Sequence, residues 1–130
     1  LPRTGRSERR AVLMATAVVG VGNLSVGVTH LSVVAAEAQV QLRAALDTRA
    51  ERSLPRILMG DFNMGPAAVA AALEGRDAFL VDPSLPTFPS GRPRARIDHL
   101  VVAGATVNSV AVLDEPPVSD HRALVVELEV

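Results

Sequence analysis

Three observations predict an α+β fold of layered α/β type. Short Val-rich apolar segments are separated by Gly- and Pro-containing turns, the pattern of strands. Two Ala-containing segments carry helix start and stop signals. The last third reads as strand after strand with no helix between them, which separates this chain from a regular βαβ alternation. A length of 130 residues suits one domain, and 48% apolar residues are enough to build its core.

Taken in order, residues 1–8 read as a polar, flexible lead-in and residues 9–130 as the folded part. Strands are predicted at 9–19 and 24–30. The stretch from Ala11 to Thr29 carries no charge and follows Arg9-Arg10, as a membrane span or signal peptide would. Gly20, Gly22, Asn23, Ser25 and Gly27 interrupt it, so a hairpin turning at Gly20-Val21-Gly22-Asn23 is the better reading, with no membrane span. Ser32 can cap a helix running to about Glu51. Ala35, Ala38, Leu42, Ala45 and Leu46 give that helix an apolar stripe, with Gln39, Gln41, Arg43 and Asp47 off it. Pro55 resets the chain before a buried strand at 56–60. Pro66 opens a second helix that ends near Gly75. Ala78 to Val81 is a weak strand, and 82–95 is a Pro-rich loop within the domain. Strands close the chain at 96–103, 106–113 and 122–129.

Composition removes several function classes. There is no Cys, so disulfides, thiolate metal sites and a Cys nucleophile are excluded. Aromatic residues make up 2%, three Phe without Trp or Tyr, so stacking of nucleobases is not the main mode of binding. The net charge of -1 lacks the footprint of a dedicated nucleic-acid binder. All 13 basic residues are Arg, with clusters at Arg3, Arg6, Arg9 and Arg10 and at Arg92, Arg94 and Arg96. Such clusters form either a solvated surface or a rim that attracts phosphorylated substrate.

Chemistry-bearing residues gather at predicted strand ends. Ile57-Leu58-Met59 delivers Gly60-Asp61-Phe62-Asn63, and an extended chain would place Asp61 and Asn63 on one face. A carboxylate and an amide there can hold a cation, orient a water or contact a phosphate; equally, Asp-x-Asn is a common turn former. Thr29-His30 ends an earlier strand. Asp98 lies in the apolar run Ile97 to Val102, a costly place for a carboxylate without a partner or a function. Alternation puts His99 on the face opposite Asp98, as a bystander. Ser119-Asp120-His121 precedes the last strand and is also a turn sequence. Strand ends on one edge of a sheet converge on one cleft, where Asp and His can orient a proton-transferring imidazole and oxygen ligands can hold a hard divalent ion.

Thr29-His30-Leu31, Gly60-Asp61-Phe62-Asn63, Ile97-Asp98 and Ser119-Asp120-His121, in that order, resemble the endonuclease/exonuclease/phosphatase superfamily, which includes the type I deoxyribonucleases. Thr87-Phe88-Pro89-Ser90 is similar to a loop of bacterial members. The resemblance runs from about Arg9 to Val130. It implies the second half of a four-layer α/β/β/α sandwich, with a mostly antiparallel sheet and helices on its outer face. It also implies Mg²⁺- or Mn²⁺-dependent hydrolysis of a phosphodiester or phosphomonoester bond in a nucleic acid, a lipid headgroup or a small phosphoester. By the same resemblance Asp61 would orient or deprotonate the attacking water. Asn63 would bond that water or a phosphate oxygen. His121, held by Asp98, would contact the scissile phosphate, His30 would contact the phosphate or assist the leaving group, and Asp120 would reach the metal, alongside Asp61 and Asn63.

The family's principal metal ligand, a Glu in its first half, has no counterpart in this chain; Glu8 and Glu37 sit in the wrong context to replace it. The resemblance therefore implies a domain completed by the missing N-terminal half or by a second copy of the chain. A non-catalytic half-domain serving as a binding or assembly module is the alternative. The inner face of its sheet should be apolar and should seek a partner sheet.

Overall fold

The computed structural model describes residues 1–114 and 118–130. Its order is β1 (Val12–Val19), β2 (Gly22–His30), α1 (Ala35–Ala50), β3 (Arg56–Asp61), α2 (Pro66–Leu73), β4 (Phe79–Leu80), β5 (Asp98–Ala103), β6 (Thr106–Val112) and β7 (Leu124–Glu129). The fold is α+β, and each predicted element is present within a few residues of its expected bounds. The uncharged segment forms the β1–β2 hairpin, turning at Gly20, whose φ of 58° suits a residue without Cβ. No helix is long and apolar enough to cross a membrane.

Five strands form one mixed sheet in the order β1-β2-β3-β5-β4. Most neighbours are antiparallel, but β2 and β3 run parallel, with α1 as the crossover between them. The closing run of strands divides: β5 joins this sheet, whereas β6 and β7 pair with each other as a separate two-stranded sheet. Alternation sorts the side chains of the large sheet between two cores. Leu58 and Val101 face α1 and α2, packing with Leu42, Leu46, Phe62 and Val69. Ile57, Leu100 and Val102, with Leu24, Val26 and Met59, face β6–β7 and meet Val107, Val110, Leu124, Val126 and Leu128. The second sheet therefore covers part of the apolar inner face from within the same chain.

Two helix expectations need correction. The N-cap of α1 is Val34, not Ser32, and it makes no side-chain cap. The Ser32 hydroxyl instead accepts the Val34 amide and donates to Glu37. Gln41 is fully buried, whereas Ala35 is exposed, so the inward stripe is rotated from the purely apolar one. Gln41 is admitted because both ends of its amide are satisfied: Oε1 accepts the Ser32 amide and Nε2 donates to the Pro2 carbonyl. Glu37, equally buried, accepts from the Ser7 hydroxyl, the Thr4 amide and the Ser32 hydroxyl, which hold its carboxyl below the usual range. Residues 1–8 thus meet α1 through specific hydrogen bonds.

Gly60 shows how tightly β3 is fitted beside Thr29 of β2. Its φ is 140°, and a Cβ there would lie 1.8 Å from the Thr29 carbonyl oxygen. The neighbour is backbone of a paired strand and cannot swing aside. Gly60→Ala is expected to destabilise the fold by on the order of 3 kcal/mol, which urea unfolding would register as a lower midpoint. An unchanged midpoint would contradict this reading of β3.

Candidate active site

The sheet register brings the predicted residues together. His30 at the end of β2 is paired with Asp61 at the end of β3, and Asp61 is paired with Asp98 at the start of β5. Asp61 follows Met59, and Asp98 precedes Leu100, by two residues. Both carboxylates therefore share the face that looks toward β6–β7. The parallel β2–β3 pairing makes this possible, because two C-terminal strand ends then meet the N-terminal end of antiparallel β5 at one edge.

His121 arrives from the other sheet, on the segment leading into β7. Its Nδ1 donates to Asp98 Oδ2 at 2.8 Å, which leaves Nε2 as the free ring nitrogen, 3.9 Å from Asp61 Oδ2. His30 Nε2 lies 3.4 Å from the same Asp61 oxygen. Asp61, Asp98 and His121 are half-buried, and His30 is exposed. Burial pulls the His121 imidazole down. The Asp98 hydrogen bond and the charges of Asp98, Asp61 and Asp120 outweigh it, so its pKa is raised from the ordinary value. A cavity of about 310 Å³ opens beside Asp98, Met59 and Leu100.

Asn63 occupies another position than its motif suggested. β3 ends at Asp61, and Asn63 adopts φ 51°, so the extended Asp-x-Asn geometry does not form. Instead Asp61 Oδ1 accepts the Asn63 amide, and Asn63 Nδ2 donates to the Leu31 carbonyl. This turn fastens the segment after His30 to the end of β3 and fixes one Asp61 oxygen, leaving Oδ2 for the histidines. Asp120 is exposed, its Oδ1 3.4 Å from the Ser119 hydroxyl. Among the described residues, the close group of donor atoms is Asp61, Asp98 and His121, all within 4.8 Å of one another. Two carboxylates fit a hard divalent cation, and a complete shell requires oxygens beyond these side chains.

His99 is a bystander, as alternation predicted. It is buried on the helix face, donates from Nε2 to the Met64 carbonyl, and packs on Phe62. The 82–95 loop, whose Thr87-Phe88-Pro89-Ser90 the sequence marked by resemblance but gave no role, is cross-braced. Phe88 pairs with Ala95 in an isolated bridge. Thr87 accepts the Arg122 amide, the Ser90 amide donates to Asp120, and Arg122 Nε donates to the Ser90 carbonyl. Phe88 stacks on His121 with ring centroids 4.7 Å apart. One signal was available: Phe88 is one of only three Phe residues and lies in the Thr87-Phe88-Pro89-Ser90 segment singled out by resemblance. Of the later arginine cluster, Arg96 pairs with Asp82, while Arg92 and Arg94 are exposed.

A family model described as the Endonuclease/Exonuclease/phosphatase family matches residues 2–121. Among curated proteins no match was found. Several solved structures share the fold. A humanized TDP2 from D. rerio is 20% identical with a TM-score of 0.77, over 93% of this chain and 61% of that one. The human Nocturnin catalytic domain with bound sulfate is 18% identical with a TM-score of 0.67, over 92% and 53%. A mannosyl-6-phosphatase from Bacteroides thetaiotaomicron is 20% identical with a TM-score of 0.65, over 83% and 52%. The chain thus spans between half and two thirds of the length of these structures.

Proposed function

The chain belongs to the endonuclease/exonuclease/phosphatase family, and from that premise we propose that it carries the larger part of a divalent-metal-dependent phosphoesterase site. The observation that carries this reading is the row His30, Asp61, Asp98 across three adjacent strand ends, with His121 brought over from the second sheet onto Asp98. Such a row serves phosphoryl chemistry, in which positioning and opposing charge do most of the work. The Asp61 carboxylate, anchored through one oxygen by Asn63, takes a proton from the attacking water or orients it. Asp98 fixes the ring and tautomer of His121, whose Nε2 then faces the phosphoryl oxygens and opposes their charge. His30 reaches the leaving-group side. Among the described residues the Asn63 side chain bonds only through Nδ2, to Leu31, and its Oδ1 would contact substrate.

Asp61 and Asp98 offer the oxygens that suit Mg²⁺ or Mn²⁺, and Asp120 stands next to His121 as a further carboxylate. A bound ion would supply Lewis-acid stabilisation of phosphoryl charge. The rest of its shell would come from the missing N-terminal half, which would also extend the fold to a four-layer sandwich. The inner groove between the sheets supports that proposal: about 460 Å³ lined by Val19, Leu24, Leu128, Val130 and neighbouring apolar side chains, with Val125 and Val130 about half exposed. The substrate is a nucleic acid, a lipid headgroup or a small phosphoester, since specificity resides in loops.

Metal removal tests the proposal. Hydrolysis of bis(4-nitrophenyl) phosphate by the chain joined to its N-terminal half is expected with Mg²⁺, lost in EDTA and restored by Mn²⁺. EDTA-insensitive turnover would overturn the metal-dependent reading. A completed domain that neither turns over substrate nor binds Mg²⁺ or Mn²⁺ by calorimetry would instead favour the binding or assembly module.

A further inference from the structure

We propose that Phe88 is a positioning residue for His121, and that the Thr87–Ser90 segment is the frame that sets the aim of the imidazole; the inference rests on the phosphoesterase reading. His121 lies in the chain between β6 and β7 and on no strand, so no β-ladder fixes its backbone. The 87–90 segment supplies what the ladder does not. The Ser90 amide donates to the Asp120 carbonyl at 2.7 Å and the Ser90 hydroxyl to the Ser119 carbonyl at 2.8 Å. On the other side of His121, the Arg122 amide donates to the Thr87 carbonyl at 2.8 Å, and Arg122 Nε to the Ser90 carbonyl at 2.8 Å. Three bonds thus clamp the backbone on both flanks of one histidine, and a fourth ties down the Arg122 side chain.

Thr87 is fully buried, and Phe88 is joined to Ala95 by paired backbone hydrogen bonds, so the frame is itself anchored. The side chain is held in the same way. Asp98 fixes the ring at Nδ1, but a single hydrogen bond leaves the ring free to tilt about it. Phe88, 4.7 Å away at 45° between planes, occupies the space into which it would tilt. Together the two contacts direct Nε2 toward the region of Asp61 Oδ2. The ring contact of Phe88 is with His121, so in this proposal Phe88 acts through His121.

The test compares Phe88→Ala, Phe88→Leu and Phe88→Tyr in two measurements. In the first, kcat for bis(4-nitrophenyl) phosphate in Mg²⁺ is measured on the domain completed by its N-terminal half. Phe88→Ala is expected to lower kcat about 10- to 100-fold with KM little changed, and Phe88→Tyr to restore most of the loss. In the second, ¹H–¹³C NMR of the His121 ring is recorded at one fixed pH. The ring-current shift from Phe88 is expected in wild type and absent in Phe88→Leu, which keeps an apolar side chain in place if Phe88→Ala fails to fold. Full kcat in a folded Phe88→Ala, or His121 ring resonances identical in wild type and Phe88→Leu, would overturn the proposal. Absence of turnover in wild type would count against the phosphoesterase reading alone, because the His121 resonances would still decide whether Phe88 fixes the ring.

Discussion

Replacing Asp61 with Asn is expected to lower metal-dependent phosphoester hydrolysis by about 10³-fold while leaving the fold intact, within the range seen when a general base or a charge-stabilising group is removed. The substitution separates two duties of one side chain. Asp61 Oδ1 accepts the Asn63 amide, and an Asn side-chain oxygen can accept it equally. The half-buried Oδ2, 3.4 Å from His30 and 3.9 Å from His121, is the atom whose charge and proton affinity are lost. Thermal melting of wild type and Asp61→Asn should therefore nearly coincide while kcat separates. If the melting temperature falls as steeply as activity, Asp61 is chiefly a structural turn residue. If neither moves, the site lies elsewhere.

The turn was legible in Gly60-Asp61-Phe62-Asn63, and the structure forms it while setting Asp61 beside His30 and Asp98. Sequence could not divide the labour, because that depends on Leu31, whose carbonyl takes the Asn63 amide across two strands. Local signals did well where physics is local. The β1–β2 hairpin followed from glycines within an apolar run, and the His99 bystander followed from alternation along β5. Non-local pairing was out of reach: nothing in β6 or β7 announces that they leave the large sheet and carry His121 over its end. Buried polar residues failed for a similar reason. Gln41 read as off the inward stripe because an apolar stripe counts only hydrocarbons, while its partners Pro2 and Ser32 lie outside the helix. The contact of Phe88 with His121 was hidden by its setting: Pro and Gly signal an irregular path, and this loop is irregular yet closely bonded.

The second large effect is expected at the Asp98–His121 pair, where the double variant is the informative one. His121→Ala removes the imidazole, and Asp98→Asn removes the carboxylate that accepts its Nδ1–H. Each alone is expected to cost about 10² to 10⁴ in kcat/KM. An Asn at position 98 can present its amide to the ring, favouring the tautomer with Nδ1 unprotonated and reversing the role of Nε2. If Asp98 acts only through His121, then Asp98→Asn/His121→Ala is no slower than His121→Ala, because the carboxylate has nothing left to orient. If the losses multiply, Asp98 has a second role, and its place in the close group with Asp61 makes a shared cation the first candidate. Calorimetric Mg²⁺ affinity of Asp98→Asn then separates the cases. Unchanged affinity with non-multiplying kinetics leaves Asp98 as the orienting partner of His121. Lost affinity with multiplying kinetics makes the carboxylate a metal ligand, and the imidazole contact would then have to be read as secondary to it.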